Sequence, residues 1–140
     1  MGMKFLLDTN VLSEPAKVEP NQNVLQKLSQ FSGQFCTAVT VWHELHYGVE
    51  RMTGSRRKVS LSGYLNSLEL AGLVILPYEK NAAEWLAQER ARLSKQGVSI
   101  SFADGEIAAI AFVNQLTLVT RNVSDFAYFE NLRVENWLVE

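Results

Sequence analysis

"KFLLDTNVLSEP", Lys4–Pro15, sets a run of apolar residues directly against Asp8 and Asn10 before a proline stops the pattern. Phe5, Leu6 and Leu7 read as a strand apolar on both faces, as a central parallel strand covered by helices must be. Asp8 then falls at the carboxyl end of that strand, the edge where open α/β sheets bind ligands. Such a residue also has an ordinary use, because Asp8 or Thr9 can cap a short helix by accepting hydrogen bonds from its orphan amides. Company elsewhere in the chain decides between the two.

Working outward, Val24, Leu25, Leu28 and Phe31 form one apolar stripe at helical period between Pro15 and Gly33. "QFCTAVTV" offers a short strand around Gln34–Thr37, after which Thr40 is placed to cap a helix through "VWHELHYGVERM", with Glu44 near its first turn. A helical region runs from about Ser55 to Ala71, and "LVILP" gives a third strand closed by Pro77. Lys80–Gln96 is a charged amphipathic helix, and "GVSISFADGEIAAIAFVNQ" is a polar loop entering an alanine-rich helix whose opening turn carries Asp104 and Glu106. "LTLVT" is a fourth strand, "RNVSDF" follows its carboxyl end, and "LRVENW" reads as an edge strand. Strands alternating with helices predict one α/β domain over residues 1–140, a parallel sheet with helices on both faces.

The bulk figures agree with a single domain. The chain has 140 residues, 47% hydrophobic, with a formal charge of −2, so it lacks the uniformly basic character of a nonspecific DNA binder. Cys36 is the sole cysteine, which excludes an intrachain disulfide and a cysteine zinc cluster. With no apolar run of membrane-spanning length and no signal-peptide pattern at the start, the expected location is cytoplasmic, without a membrane partner.

Four carboxylates occupy equivalent places: Asp8 after the first strand, Glu44 in the helix after the second, Asp104 opening a later helix, and Asp125 after the fourth strand. Glu69, Glu79, Glu84 and Glu89 are instead expected on solvated helix faces. At about 6 Å and an effective dielectric near 20, each pair in a cluster of four repels by roughly 2.8 kcal/mol, or roughly 17 kcal/mol over six pairs. A domain is stable by only about 5 to 15 kcal/mol. Such a cluster therefore needs protonation, strong screening or a cation, and oxygen-only ligands select Mg²⁺ or Mn²⁺. "HELH", His43–His46, spaces its histidines three apart, whereas helical zinc proteases use four.

A hard divalent ion with open coordination positions activates water and stabilises charge on a phosphodiester, which is nuclease chemistry. Thr9, Asn10, Thr120, Asn122 and Ser124 are short polar groups beside the carboxylates that can orient ligands, or equally cap turns. Arg51, Arg56, Arg57 and Arg121, with Arg90 and Arg92, are candidate phosphate contacts, against the plainer reading of solvated charge. Trp42, Trp85 and Trp137 can stack bases, with packing the plainer reading.

"LLDTNVLSEP", "TAVTVWHELHYGV", "ISFADGEIAAIA" and "LVTRNVSDF", in this order, resemble a PIN domain, and more narrowly the VapC/FitB-type toxins of bacterial toxin-antitoxin pairs. The resemblance implies a three-layer α/β/α fold around a short parallel sheet of about four to five strands. It implies Asp8, Glu44, Asp104 and Asp125 as metal-binding catalytic acids, with Asn10, Thr120 and Asn122 as polar support. A homodimeric, Mg²⁺-dependent endoribonuclease is implied as well, with a small antitoxin that occludes the active site and mediates any contact with DNA. Glu106 is not a constant part of the pattern, and exposure on the first helical turn is the simpler expectation. The alternatives are a catalytically inactive PIN-like binding module, or a haloacid-dehalogenase-like phosphatase, whose second Asp is replaced here by Asn10.

Overall fold

The computed structural model describes residues 2–139. It opens with strand β1, Phe5–Leu7, fully buried, which leads through Asp8 into helix α1, Thr9–Leu12. A 3-10 turn at Glu14–Ala16 is followed by α2, Gln22–Gln30, then β2, Phe35–Ala38, and α3, Val39–Arg51. Next come α4, Arg56–Leu70, β3, Ile75–Leu76, α5, Lys80–Lys95, and α6, Phe102–Val113. β4, Thr117–Val119, α7, Val123–Phe126, and β5, Val134–Glu135, complete the chain.

The five strands form one parallel sheet in the order β3-β2-β1-β4-β5. β1 is thus central, and Phe5 to Leu7 are apolar on both faces because helices cover both. The chain winds outward from β1 through β2 to β3, then returns to place β4 on the other side. This reversal makes the carboxyl ends of β1 and β4 the topological switch point, where adjacent loops diverge and leave a crevice. β5 is the edge strand that "LRVENW" promises, shortened to Val134–Glu135.

α6 is apolar around most of its circumference, with Gly105 and Ile107 to Ala111 all buried. Its small side chains let α5 approach: a Cβ added at Gly105 would stand 2.8 Å from Leu86 Cδ1. On the opposite flank Trp137 meets Phe5 edge-on at 5.0 Å and stacks with Phe31 at 5.8 Å. Trp85 stacks on Phe112 at 4.7 Å, and Trp42 packs against the core and against His46 at 4.8 Å, so all three tryptophans serve packing. The C-terminal turn is tied down by the Asn21 and Asn23 amides, which donate to Leu138 O and Trp137 O.

Several local expectations shift. β2 starts and ends one residue later than Gln34–Thr37, and α2 stops before Phe31, whose ring joins the aromatic cluster. Thr40 does not cap α3. The N-cap is Ala38, and Thr40, inside the first turn and buried, donates from Oγ1 to Glu106 Oε1 at 3.0 Å. Glu44 accordingly lies in the second turn. Glu89, expected on a solvated face, is 8% exposed, receives a two-pronged hydrogen bond from Arg92, and accepts from the Glu130 amide. Arg92 one turn along α5 and the Glu130 amide on a distant loop together make that burial affordable.

Candidate active site

Asp8 is both a helix cap and the innermost acid of the crevice. Its Oδ1 accepts from the Thr9 amide at 2.8 Å, which starts α1, and its Oδ2 accepts from the buried Thr120 hydroxyl at 2.8 Å. The ordinary reading of Asp8 and the chemical one therefore coexist on two oxygens of one carboxylate. The Thr120 oxygen in turn accepts from the Asn122 amide at 3.0 Å, while Asn10 Oδ1 accepts from the Arg121 amide at 2.9 Å. Thr120 and Asn10 thus tie the segment after β1 to the loop after β4, and the Asn122 amide braces Thr120 within that loop.

The other acids approach from three elements. Asp104 sits in the first turn of α6, its amide donating to the N-cap Ser101 hydroxyl at 3.1 Å, and is half-buried. Glu44 projects from α3 and Asp125 from α7, both exposed. Burial pushes the Asp8 carboxyl above the ordinary carboxylate range; the Thr120 and Thr9 hydrogen bonds oppose this, and the Asp125 charge adds to it. Asp104 is raised by desolvation first and then by the charges of Asp8 and Asp125, against the Ser101 hydrogen bond. Glu44 is raised by desolvation and by Asp8 and Asp104. Asp8 and Asp104 thus lie within reach of the Asp125 charge, and Glu44 within reach of Asp8 and Asp104.

They are not yet a ligand shell. Among the described residues no group of three or more His, Cys, Asp or Glu side chains stands ready to hold a metal ion. The donor chemistry nonetheless suits a hard cation, being carboxylate and hydroxyl oxygen throughout. Thr9 Oγ1 is buried without a hydrogen-bond partner among the described residues, although it lies near enough to Asp8 and Glu44 to favour their charged forms. An unused polar atom between two carboxylates is what a site for a cation and its hydration would contain.

Glu106 is half-buried and tied to Thr40 rather than exposed, and it is absent from the charges that perturb the other acids. Of the candidate phosphate contacts, Arg121 adjoins the acids through the hydrogen bond its backbone amide donates to Asn10. Arg51 lies over the Tyr47 ring at 4.8 Å, about 10 Å along α3 from Glu44, and Arg56 and Arg57 open α4. None of the three is among the charges acting on Asp8, Glu44 or Asp104.

Glu14 went unnoticed in the sequence. Only 3% exposed, it accepts from the Asn21 amide at 2.8 Å and pairs with Lys17 at 3.0 Å. Burial opposes its charge, but these partners and the Arg121 charge outweigh burial and hold its carboxyl below the ordinary range. Its signal was faint: an acid between Ser13 and Pro15, on the turn where α1 ends.

The PIN domain family model matches residues 5–130. Ribonuclease VapC2 of Haemophilus influenzae is 33% identical over 136 residues, covering 97% of this chain and 99% of its own length. Toxin FitB of Neisseria gonorrhoeae is 37% identical over 126 residues, covering 87% and 90%. Among solved structures, DNA-bound VapBC from Salmonella typhimurium superposes with a TM-score of 0.80 at 28% identity, covering 96% of this chain and 98% of that one.

Proposed function

The chain belongs to the PIN-domain family, and on that premise we propose that it is a metal-dependent endoribonuclease acting as the toxin of a toxin-antitoxin pair. The observation that carries the proposal is the acidic crevice at the β1/β4 switch point. There Asp8 is fixed by Thr120, and Asp104 and Glu44 have their carboxyls raised by burial and by neighbouring charge. The ribonuclease and toxin names of the aligned relatives support the same reading.

Asp8, Asp104, Glu44 and Asp125 would hold Mg²⁺ or Mn²⁺. Such an ion supplies a lowered pKa for attacking water and neutralises charge on the phosphodiester. The chain's own contribution is positional. Thr120 orients one Asp8 oxygen, Thr9 the other, and Ser101 starts α6 so that Asp104 faces them. Asn10 holds the two loops in register, and the Asn122 amide steadies the Thr120 hydroxyl. A homodimer and a small antitoxin partner complete the reading. Contact with DNA would pass through the antitoxin, consistent with a net charge of −2 and with the DNA-bound VapBC structure.

The test is cleavage of single-stranded RNA by the purified chain in Mg²⁺ or Mn²⁺ and in EDTA. Activity dependent on the ion, leaving 5′-phosphate and 3′-hydroxyl ends, is expected. Ends carrying a 2′,3′-cyclic phosphate would mean attack by the RNA's own 2′-hydroxyl and would overturn the water mechanism. No cleavage of any RNA would favour an inactive binding module. Sequencing RNA ends from cells briefly expressing the chain would identify the target.

A further inference from the structure

Phe102 opens α6 with 53% of its surface exposed, two residues before Asp104 on the same first turn. The Arg90 guanidinium reaches across from α5 to lie 5.4 Å from the centre of its ring. One turn along α6, at the spacing that shares a face with Phe102, Glu106 is held by the Thr40 hydroxyl. Tyr78, between β3 and α5, feels the charges of both Glu106 and Arg90. An exposed ring, a cation over it, a phenol and a fixed carboxylate thus gather around the face of α6 that carries Phe102 and Glu106.

Sequence-tolerant recognition of single-stranded RNA uses this set: an aromatic face on which an unpaired base stacks, and a guanidinium that adds cation–π attraction and reaches phosphate. Asp104 and Phe102 lie on opposite sides of α6, about 10 Å apart across a helix, so a strand lying on the acids would bring a base to Phe102 about one or two nucleotides away. The Glu106 carboxylate repels phosphate, which leaves the backbone to the Arg90 side. The geometry points to Phe102 and Arg90 as a stacking platform for an unpaired base of the RNA substrate, beside the bond cut at the acids. The inference rests on the ribonuclease reading and deepens it.

Single-stranded oligoribonucleotides carrying 2-aminopurine at successive positions, mixed with the full-length chain in EDTA so that nothing is cut, test this directly. Stacking quenches the probe, so wild type should quench it at a restricted set of positions. Phe102→Ala should lose the quenching and bind about tenfold more weakly, and Phe102→Trp should restore both. Arg90→Ala should weaken binding and lower its salt dependence. In Mg²⁺, Phe102→Ala should raise KM more than it lowers kcat.

Unchanged quenching and affinity in a folded Phe102→Ala protein would overturn the inference. So would a variant that binds RNA normally but loses self-association or antitoxin binding, which would assign the surface to a protein. If wild type quenches through Phe102 yet cuts no RNA in Mg²⁺, the ribonuclease reading fails and the stacking platform stands.

Discussion

Thr120 and Asp8 are 112 residues apart in sequence, and a hydrogen bond of 2.8 Å between Oγ1 and Oδ2 joins the carboxyl ends of β4 and β1. Thr120 is fully buried and Asp8 nearly so, which makes the bond both a structural clasp and a device for aiming the innermost acid. A buried bond to a charged group contributes more than a neutral one, because losing the donor leaves the carboxylate partly unpaired.

Thr120→Val keeps the shape and removes the donor. It should lower stability by about 1.5 to 3 kcal/mol, measured by urea unfolding at neutral pH, and reduce RNA cleavage. Thr120→Ser should restore most of both. Equal loss in the two variants would show that the methyl group, rather than the hydroxyl, matters at this position.

Asp104→Asn should raise the melting temperature in EDTA at pH 7 while abolishing cleavage. The Asp104 carboxyl is raised above its ordinary 3.8, so its contribution favours folding when protonated, is fully present below 3.8, and is lost as pH rises through the folded value. Asn stays neutral and keeps that contribution, so the variant should melt above wild type. Glu14 acts with the opposite sign: its lowered carboxyl stabilises above 4.5 and loses this as pH falls through the folded value. Mg²⁺ should stabilise wild type by mass action and the variant less. A mutant melting lower in EDTA yet cutting normally would reduce Asp104 to a helix-start residue.

Gly105→Ala sets helix propensity against packing. Alanine favours the helix by about 1 kcal/mol, but the new Cβ would stand 2.8 and 3.2 Å from the two Leu86 methyls, and Leu86 is only 2% exposed. The expected result is a net loss of about 1 kcal/mol. Leu86→Ala should cost less in the Gly105→Ala background than in wild type, a coupling readable in a double-mutant cycle. Additive effects would mean that α5 simply moves aside.

The antitoxin should set a cationic side chain, arginine by preference, against the acids, because a guanidinium pairs bidentately with carboxylate and competes with the ion. Titration calorimetry should show its affinity falling as Mg²⁺ rises into the millimolar range, and falling again in Asp8→Asn. Indifference to both would place the contact away from the crevice.

The elements were legible where the signal is local. Phe5 to Leu7 had to be a covered strand because both faces are apolar, the helices announced themselves by apolar period, and four acids recurring after strands or at helix openings marked one edge of the sheet. Periodicity repeats within a turn or a pleat, so a short window contains it. The order β3-β2-β1-β4-β5, the Thr120 to Asp8 bond and the Arg90 guanidinium over Phe102 join elements far apart in the chain, and no window holds both partners. Thr40 shows the limit best. Locally it is a helix cap, but once α6 packs against α3 its hydroxyl finds Glu106, and a buried hydroxyl takes whichever acceptor the tertiary fold brings within reach. Glu89, expected on a solvated face, has its Arg92 partner three residues along α5, but the Glu130 amide that completes its set comes from 41 residues away and only with the fold.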